Sequence, residues 1–247
     1  MSDDFFVGYL PTPPASARRM RWVIAGLIVE AACVAAILAV ATGPFDRATF
    51  EYGRPREWRG TIQAWPVPVL ITADGNERLP LVATGKHGAG PFVDGLDGAA
   101  VRLTATRIIR GSTTMLEVAP GTVVRDGVSA PAPPEDVGDR HRAIFTGEIV
   151  DSKCFLGVMN PGRLEVHRAC ARRCIAGGIP PMLFGRDASG LEAHWLLADP
   201  DGGSINDRVI DYVGREVAID GRLERRGGLD YLYVFSVNGL KSVSRSK

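Results

Sequence analysis

Three cysteines and one histidine lie close together in the second half of the chain and could do chemistry as a group. They are Cys154, His167, Cys170 and Cys174. Thiolate sulfur and imidazole nitrogen bind soft and borderline transition metals, and thiols also exchange disulfides. The residue types therefore predict a metal site, with zinc or copper as candidate ions, or a set of bridged or redox-active thiols.

The spacing indicates that three of these side chains share one face of a helix. A helix is predicted over 161–176, because Asn-Pro is favoured at a helix start and Gly-Gly followed by Pro-Pro at a helix end. On it, His167, Cys170 and Cys174 stand at positions i, i+3 and i+7, which form one stripe. Cys154 follows a predicted strand, and we expect the helix to pack so that this sulfur meets the stripe.

Several chemistries remain open for this group. Three sulfurs and one nitrogen are typical of structural zinc sites, and the soft set also suits copper. In an exported domain the alternative is a disulfide from Cys154 to Cys170 or Cys174, since sulfurs on successive turns of one helix pair poorly. Reduced, redox-active thiols are the third alternative. Met159 and Met182 are additional candidate copper ligands, although methionine usually packs in cores.

Other reactive residues give weaker signals. Lys86, His87 and His194 could reach the site, but a lone histidine in a loop or strand usually lies at the surface or packs in a core. No Ser-His-Asp arrangement, paired carboxylates, phosphate loop or nucleotide fingerprint stands out in the sequence. We therefore predict no catalytic residues, and a non-catalytic protein is favoured over an enzyme.

An apolar segment near the N-terminus is predicted to anchor the chain in a membrane. Residues 22–42 are about as long as the roughly 20 residues that a helix needs to cross the hydrocarbon core. Arg18, Arg19 and Arg21 precede this segment and favour a cytoplasmic location for residues 1–21. The asymmetry of charge is reduced by three arginines that follow the segment, Arg47, Arg54 and Arg56. The sequence thus predicts a bacterial inner-membrane protein whose C-terminal domains are periplasmic.

A cleaved export signal is the alternative to this anchor, because Ala39-Val40-Ala41 resembles a cleavage site. Within the apolar segment, Glu30 is the one ionisable carboxyl group, and such a group is costly in hydrocarbon unless it is paired, neutralised or faces protein. Glu30 is therefore a candidate contact with a partner helix, or a protonated side chain that a single helix tolerates.

Beyond the apolar segment the sequence repeats itself. Residues 101–105 align with residues 217–221, and residues 58–62 align with residues 145–149. The difference in residue number between aligned positions of the two copies is 87 at the first predicted strand (147 minus 60) and 113 at the second (181 minus 68). The second copy therefore has an insertion between its first two predicted strands, and loops tolerate such insertions well. This insertion contains the cysteines.

Each copy is predicted to form about five short strands, because residues alternate with period two between glycine turns. The fold class is mainly β, with two tandem OB-like five-stranded barrels over 54–120 and 142–244. A Pro-rich linker is predicted over 121–141, and the Cys/His insert over 151–180.

The charge balance argues against a polyanionic partner. The formal net charge is +1 over 247 residues, so no general attraction for nucleic acid is expected. OB barrels often bind single strands through a basic aromatic groove, but fold analogy is weak support for a function. We predict no nucleic-acid partner, and a membrane and other membrane-complex subunits as partners.

The segment from Gly147 to Pro181 contains the elements Val-Asp-Ser-Lys-Cys, His-Arg-Ala-Cys-Ala and Gly-Gly-Ile-Pro-Pro. With these elements it resembles a segment found in uncharacterised bacterial membrane-anchored or exported proteins. The resemblance covers about a seventh of the chain and implies no reaction, substrate or catalytic residue.

Two functions follow as expectations. The first is an anchored, non-catalytic accessory subunit of a membrane electron-transfer or respiratory complex, with a structural or metal-binding Cys/His site. The second is a periplasmic protein that handles copper or zinc, or cycles between thiol and disulfide. The first is motivated by the anchor with Glu30, and the second by the cysteine cluster.

Overall fold

The computed structural model describes residues 13–41, 48–127, 141–187 and 189–240. The chain divides into two compact units, Met1–Asp46 and Arg47–Lys247. The elements in chain order are α1 (Pro14–Ala41), β1 (Ala48–Phe50), β2 (Arg56–Gln63), β3 (Val69–Thr72), β4 (Arg78–Ala83), α2 (Gly90–Val93), β5 (Ala100–Arg110), β6 (Thr113–Val118), β7 (Val124–Arg125), β8 (His141–Asp151), α3 (Glu165–Ala176), β9 (Pro181–Arg186), β10 (Glu192–Ala198), α4 (Asn206–Val209), β11 (Glu216–Arg226) and β12 (Leu229–Gly239). A π-helical turn over Cys154–Val158 and a 3₁₀ turn over Ile210–Tyr212 complete the described elements.

Helix α1 is the described part of the first unit. It is long and apolar enough to cross a membrane, and a signal sequence would pass the same test. The helix begins at Pro14 rather than at Trp22, because proline is favoured at a first helical position and arginine continues a helix well. The predicted boundary between residues 1–21 and 22–42 therefore lies inside α1. Residues 1–12 lie outside the described part of the chain.

The second unit contains a closed five-stranded barrel. Its strands run in the order β10-β12-β11-β8-β9, and all neighbours are antiparallel except β10 and β12. The mainly β prediction is confirmed by this barrel and by a second sheet in the same unit.

That second sheet has seven strands, in the order β1-β5-β2-β3-β4-β6, with β7 added beside β5. Strand β5 also pairs with β6, and β4 pairs with β6 in parallel. Strands β1 and β7 lie outside the predicted range 54–120, and β7 lies within the predicted linker 121–141. The Pro-rich stretch 130–136 is outside the described residues.

The pairing registers of the two sheets match the sequence repeat. Gly60 pairs with Val101 between β2 and β5, and Gly147 pairs with Val217 between β8 and β11. A Cβ added to Gly60 would lie 2.0 Å from a backbone oxygen of the next strand, and one added to Gly147 would lie 2.3 Å from such an oxygen. The aligned glycines thus permit the same close backbone approach in both sheets.

Among the described residues of the second unit, three clusters of buried side chains hold it together. One cluster lies within the seven-stranded sheet, and another lies within the closed barrel and under α3. The third, which we call the inter-sheet core, joins both sheets and the segment between β8 and β9. Its members include Val69, Val82, Ile108 and Met115 from the seven-stranded sheet, Val150, Leu196, Tyr231 and Tyr233 from the barrel, and Cys154, Phe155, Leu156 and Cys174 from the segment between β8 and β9.

Candidate metal centre

The chain between β8 and β9 carries the cysteines on two short elements. Cys154 begins the π-helical turn, while Cys170 and Cys174 lie one turn apart on α3. The helix begins at Glu165 and not at Pro161, because Leu164 has a φ of 68°, which is outside the helical region. The backbone N–H of Leu164 donates a hydrogen bond to the Glu148 carboxylate, which fixes this entry to the helix.

The three cysteine sulfurs lie together inside the protein. The Sγ atoms of Cys154, Cys170 and Cys174 are all within 4.8 Å of one another. Cys154 and Cys174 are buried, with 5% and 1% of their surface exposed, and Cys170 is half-buried. All three are free thiols, so the predicted disulfide between Cys154 and a helix cysteine is not formed in this structure. A small thiophilic ion would find three donors here without a large rearrangement.

His167 belongs to a second group that shares Cys154 with the first. Donor atoms of Asp151, Cys154 and His167 are within 4.8 Å of one another. His167 Nε2 lies 2.9 Å from Asp151 Oδ2, and both side chains are buried. The predicted set of four ligands is therefore brought together as two overlapping groups. A histidine that binds a metal ion usually donates its other ring N–H to a carboxylate, a carbonyl oxygen or water.

Asp151 positions the cysteine that both groups share. Its carboxylate is fully buried and accepts a hydrogen bond of 2.8 Å from the backbone N–H of Cys154. The other carboxylate oxygen meets His167 on α3. One side chain thus ties the end of β8 to the helix, and it holds the Cys154 turn in place while doing so.

A lysine from the seven-stranded sheet approaches the sulfurs. Lys86 lies in the loop between β4 and α2, and its Nζ is 2.7 Å from Cys170 Sγ and 3.9 Å from Cys174 Sγ. Hydrogen bonding to Cys170 is the main cause that raises the pKa of Lys86. An ammonium group beside thiols favours their ionised form, which is the form that binds metals.

The two buried thiols differ in how readily they ionise. A hydrogen bond from Cys154 is the main cause that lowers the pKa of Cys174 to about 7, and the charge of Lys86 acts in the same direction. The pKa of Cys154 is raised by its hydrogen bond with Cys174 and by burial. Cys174 is therefore the more acidic of this pair, while Cys154 keeps its proton until an ion replaces it.

Lys153 connects the cysteine segment to the seven-stranded sheet. Its Nζ donates hydrogen bonds to the carbonyl oxygens of Ala83, at 2.9 Å, and Gly85, at 2.7 Å, and forms an ion pair with Glu117. Only 3% of Lys153 is exposed. A buried ammonium group is tolerated when it is paired and fully hydrogen-bonded, as this one is. Lys153 therefore fixes Cys154, its sequence neighbour, against the loop that carries Lys86.

Two glycines bring that loop to the end of α3. The backbone N–H of Gly88 donates a hydrogen bond of 2.9 Å to the carbonyl oxygen of Gly177. A Cβ added to Gly88 would lie 2.0 Å from the carbonyl oxygen of Gly178, and one added to Gly177 would lie 1.9 Å from that of Lys86. Only glycine permits this approach. The sulfurs therefore lie in the inter-sheet core, with neighbours from both sheets.

The weaker sequence candidates fall in different places. Met182 is buried in the inter-sheet core, and Met159 is exposed. His194 Nε2 is 2.8 Å from the hydroxyl oxygen of Thr113, a contact between the two sheets, and His87 lies in the exposed loop beside Lys86. Of these candidates Lys86 contacts the sulfurs. Glu30 is exposed on α1, in the other unit.

Sequence reasoning missed the roles of Asp151, Lys153 and Glu117. A local signal existed for the first two, because a carboxylate and an ammonium group immediately before a cysteine are the residue types that orient or charge-balance a metal ligand. Glu117 carries no such signal, since it meets Lys153 only when the two sheets pack together.

Comparison with protein-family models, with curated proteins and with solved structures finds no match to this chain. The resemblance of the Gly147–Pro181 segment to membrane-anchored or exported bacterial proteins therefore stays a prediction.

Proposed function

We propose that this protein is a membrane-anchored metal-handling protein that binds one soft transition-metal ion through Cys154, Cys170 and Cys174. The observation that carries the proposal is the meeting of three free sulfurs from two separate elements within 4.8 Å of one another. An ammonium group accompanies these sulfurs, since Lys86 Nζ lies 2.7 Å from Cys170 Sγ and 3.9 Å from Cys174 Sγ. Thiolates stabilised in this way are suited to bind a cation.

The donor set favours zinc or copper(I) over harder ions. Thiolates select soft and borderline metals, and three of them leave a tetrahedral ion with one further position. His167 is the candidate for that position, because its ring and Cys154 lie in one group of donors. The alternative role of His167 is to hold Asp151, which in turn holds the Cys154 turn. In the first role the imidazole binds the ion directly, and in the second it acts through Asp151 and Cys154.

The proposed setting follows from the architecture. We infer that the two sheets are an OB-like tandem pair, and the strand pairings and aligned registers that β2–β6 share with β8–β12 support this inference. Helix α1 is a retained anchor in a bacterial inner membrane, with a cytoplasmic N-terminus and the sheets in the periplasm, and Arg18, Arg19 and Arg21 support this orientation. The near-neutral charge argues against nucleic acid as a partner.

Metal analysis of the full chain in detergent tests the proposal. Purified protein should carry about one zinc or copper ion per chain, and thiol counting should show the three sulfurs protected until a chelator is added. The variant Cys174→Ser should lose the ion, whereas Cys33→Ser, which changes an exposed thiol on α1, should keep it. A wild-type chain that contains no metal under reducing reconstitution, and that forms a stable Cys154–Cys174 bridge in air, would overturn the proposal.

The second candidate function is an accessory subunit of a membrane electron-transfer or respiratory complex. Glu30 favours it, because this carboxyl group lies on an exposed apolar face of α1 together with Leu27, Ala31 and Val34. An ionisable group in hydrocarbon is usually paired with a neighbouring helix. Purification from native membranes should then recover partner subunits with the wild-type chain and lose them with Glu30→Leu. Recovery of the wild-type chain alone would contradict this function.

A further inference from the structure

The three sulfurs differ in their access to solvent. Cys154 and Cys174 are buried, whereas Cys170 is half-buried and lies under the exposed Lys86. An ion or a reagent that approaches from solvent therefore meets Lys86 and Cys170 before it meets the deeper pair. This arrangement differs from a closed structural site, in which all ligands are equally enclosed.

We propose that the ion is exchanged with an external thiolate-bearing acceptor through Cys170, and that Lys86 is the positioning residue for this exchange. The inference rests on the proposed metal-binding function and adds that the ion is cargo rather than a permanent structural part. The acceptor is defined by its chemistry, as a molecule that offers anionic sulfur ligands to a soft ion.

The exchange is a substitution of ligands without any redox change. A thiolate of the acceptor donates an electron pair to the ion and forms a new metal–sulfur bond. The bond from the ion to Cys170 breaks, and its electron pair stays on Cys170 as a thiolate. Lys86 then donates its hydrogen bond to that thiolate, in the geometry in which Nζ lies 2.7 Å from Sγ. Cys174 and Cys154 hold the ion until further acceptor thiolates replace them in the same way.

Lys86 is suited to this role because it contacts the sulfurs, whereas Lys153, Arg168 and Arg172 have carboxylate partners. Lys153 is held by Glu117 and by two carbonyl oxygens of the β4–α2 region. On α3, Arg168 pairs with Glu165, and Arg172 pairs with Asp211. Lys86, by contrast, has two sulfurs within its reach and solvent on its other side. Its long flexible side chain can withdraw when an ion binds and return when Cys170 is released.

The rate of metal release tests the inference. The full chain in detergent is loaded with zinc, or with copper(I) if zinc does not bind, and glutathione is added as the acceptor while a chromogenic chelator reports the released ion. Lys86→Met should slow the glutathione-dependent release roughly tenfold, since it removes a charge-assisted hydrogen bond to the departing thiolate. Lys86→Arg keeps a cation and should stay near the wild-type rate. The matched control Arg172→Met removes a cation from α3 away from the sulfurs and should leave the rate unchanged.

An unchanged release rate in Lys86→Met overturns the role of Lys86. Release that does not depend on glutathione concentration overturns the exchange itself. Failure of the wild-type chain to bind either ion is a separate result, which defeats the proposed function.

A measurement without mutation tests the order of access. The metal-free reduced chain is treated with a bulky polar maleimide for increasing times, and labelled peptides are identified by mass spectrometry. Cys170 should be modified before Cys174 and Cys154. Earlier modification of either buried cysteine would overturn the assignment of Cys170 as the exchange ligand.

Discussion

The seven-stranded sheet and the closed barrel share five strand pairings but differ in the connection between their first two shared strands. In the former, β2 is joined to β3 by the short stretch 64–68. In the barrel, the equivalent connection is 152–180, and it carries all three clustered sulfurs. The same five strand pairings therefore occur once with a short connection and once with a long connection that holds a cluster of cysteines, as expected when loops vary more than the strands they join.

The seven-stranded sheet still contributes to the site that the closed barrel carries. Its β4–α2 loop supplies Lys86, and its carbonyl oxygens receive Lys153. The two sheets therefore differ in role. The barrel carries the candidate ligands, and the seven-stranded sheet places a charged side chain beside them and packs against them. Three substitutions and one change of pH test this difference between the two sheets.

Lys153→Met should have the largest effect. It leaves the Glu117 carboxylate without its partner at the contact between the sheets. Breaking a buried ion pair on one side typically costs about 3 to 5 kcal/mol, so the free energy of unfolding in urea should fall by that order. The double variant Lys153→Met with Glu117→Gln should recover part of the loss. A single variant as stable as wild type would show that the two sheets do not depend on this contact.

Gly88→Ala should have the next largest effect on stability. The new methyl group would lie 2.0 Å from the carbonyl oxygen of Gly178, so the loop and the end of α3 must separate. Overpacking of this kind costs about 1 to 3 kcal/mol, and the melting temperature should fall accordingly. Gly90→Ala is the matched control, since a Cβ there meets nothing within 4 Å. Equal melting temperatures for Gly88→Ala and Gly90→Ala would contradict a close approach between Gly88 and Gly178.

Asp151→Asn should act on the proposed metal site more than on the fold. The amide oxygen can still accept the hydrogen bond from Cys154, but the charge beside His167 is lost. Changing a group that supports metal ligands typically lowers affinity by about 10- to 100-fold, and competition with a zinc indicator should measure it. Asp211→Asn, which changes an exposed partner of Arg172, serves as the control. Identical affinities in the two variants would contradict a supporting role for Asp151.

Acid should weaken the contact between the sheets slightly through His194. Burial is the main cause that lowers the pKa of this imidazole, and the charge of Arg110 adds to it. Its pKa is then lower in the folded than in the unfolded chain, so the unfolded chain binds the proton first as pH falls. Unfolding free energy should therefore decrease below about pH 6.5, the ordinary histidine value. His194→Gln keeps a partner for Thr113 and should flatten this part of the pH profile, whereas an unchanged profile would exclude His194 as its source.

Local patterns explain what could be predicted from the sequence. Period-two alternation predicted the strands, and the aligned glycines Gly60 and Gly147 placed the repeat in the register that the pairings show. Cys170 and Cys174 meet because a spacing of four places them on one helix face, which needs no knowledge of tertiary structure.

Long-range packing explains what could not be predicted. Lys153 reaches Glu117 across the two sheets, and nothing in its own surroundings specifies that partner. Lys86 is a candidate in the sequence, but its neighbours in the sequence do not separate it from His87, which does not contact the sulfurs. The start of α3 was placed too early because the Asn-Pro signal is local, while Leu164 is held in its non-helical conformation by Glu148 from β8. Tertiary hydrogen bonds decided that boundary over local preference.

The origin of Lys86 affects how other proteins with this centre would be recognised. A search pattern built only from the spacing of Cys154, Cys170 and Cys174 would also collect chains that lack the ammonium group. A lysine placed shortly after a buried strand in the preceding β unit, as Lys86 follows β4, supplies the second criterion. Under the proposed exchange, chains that meet both conditions should release their ion to an acceptor, and chains that meet only the first should keep it.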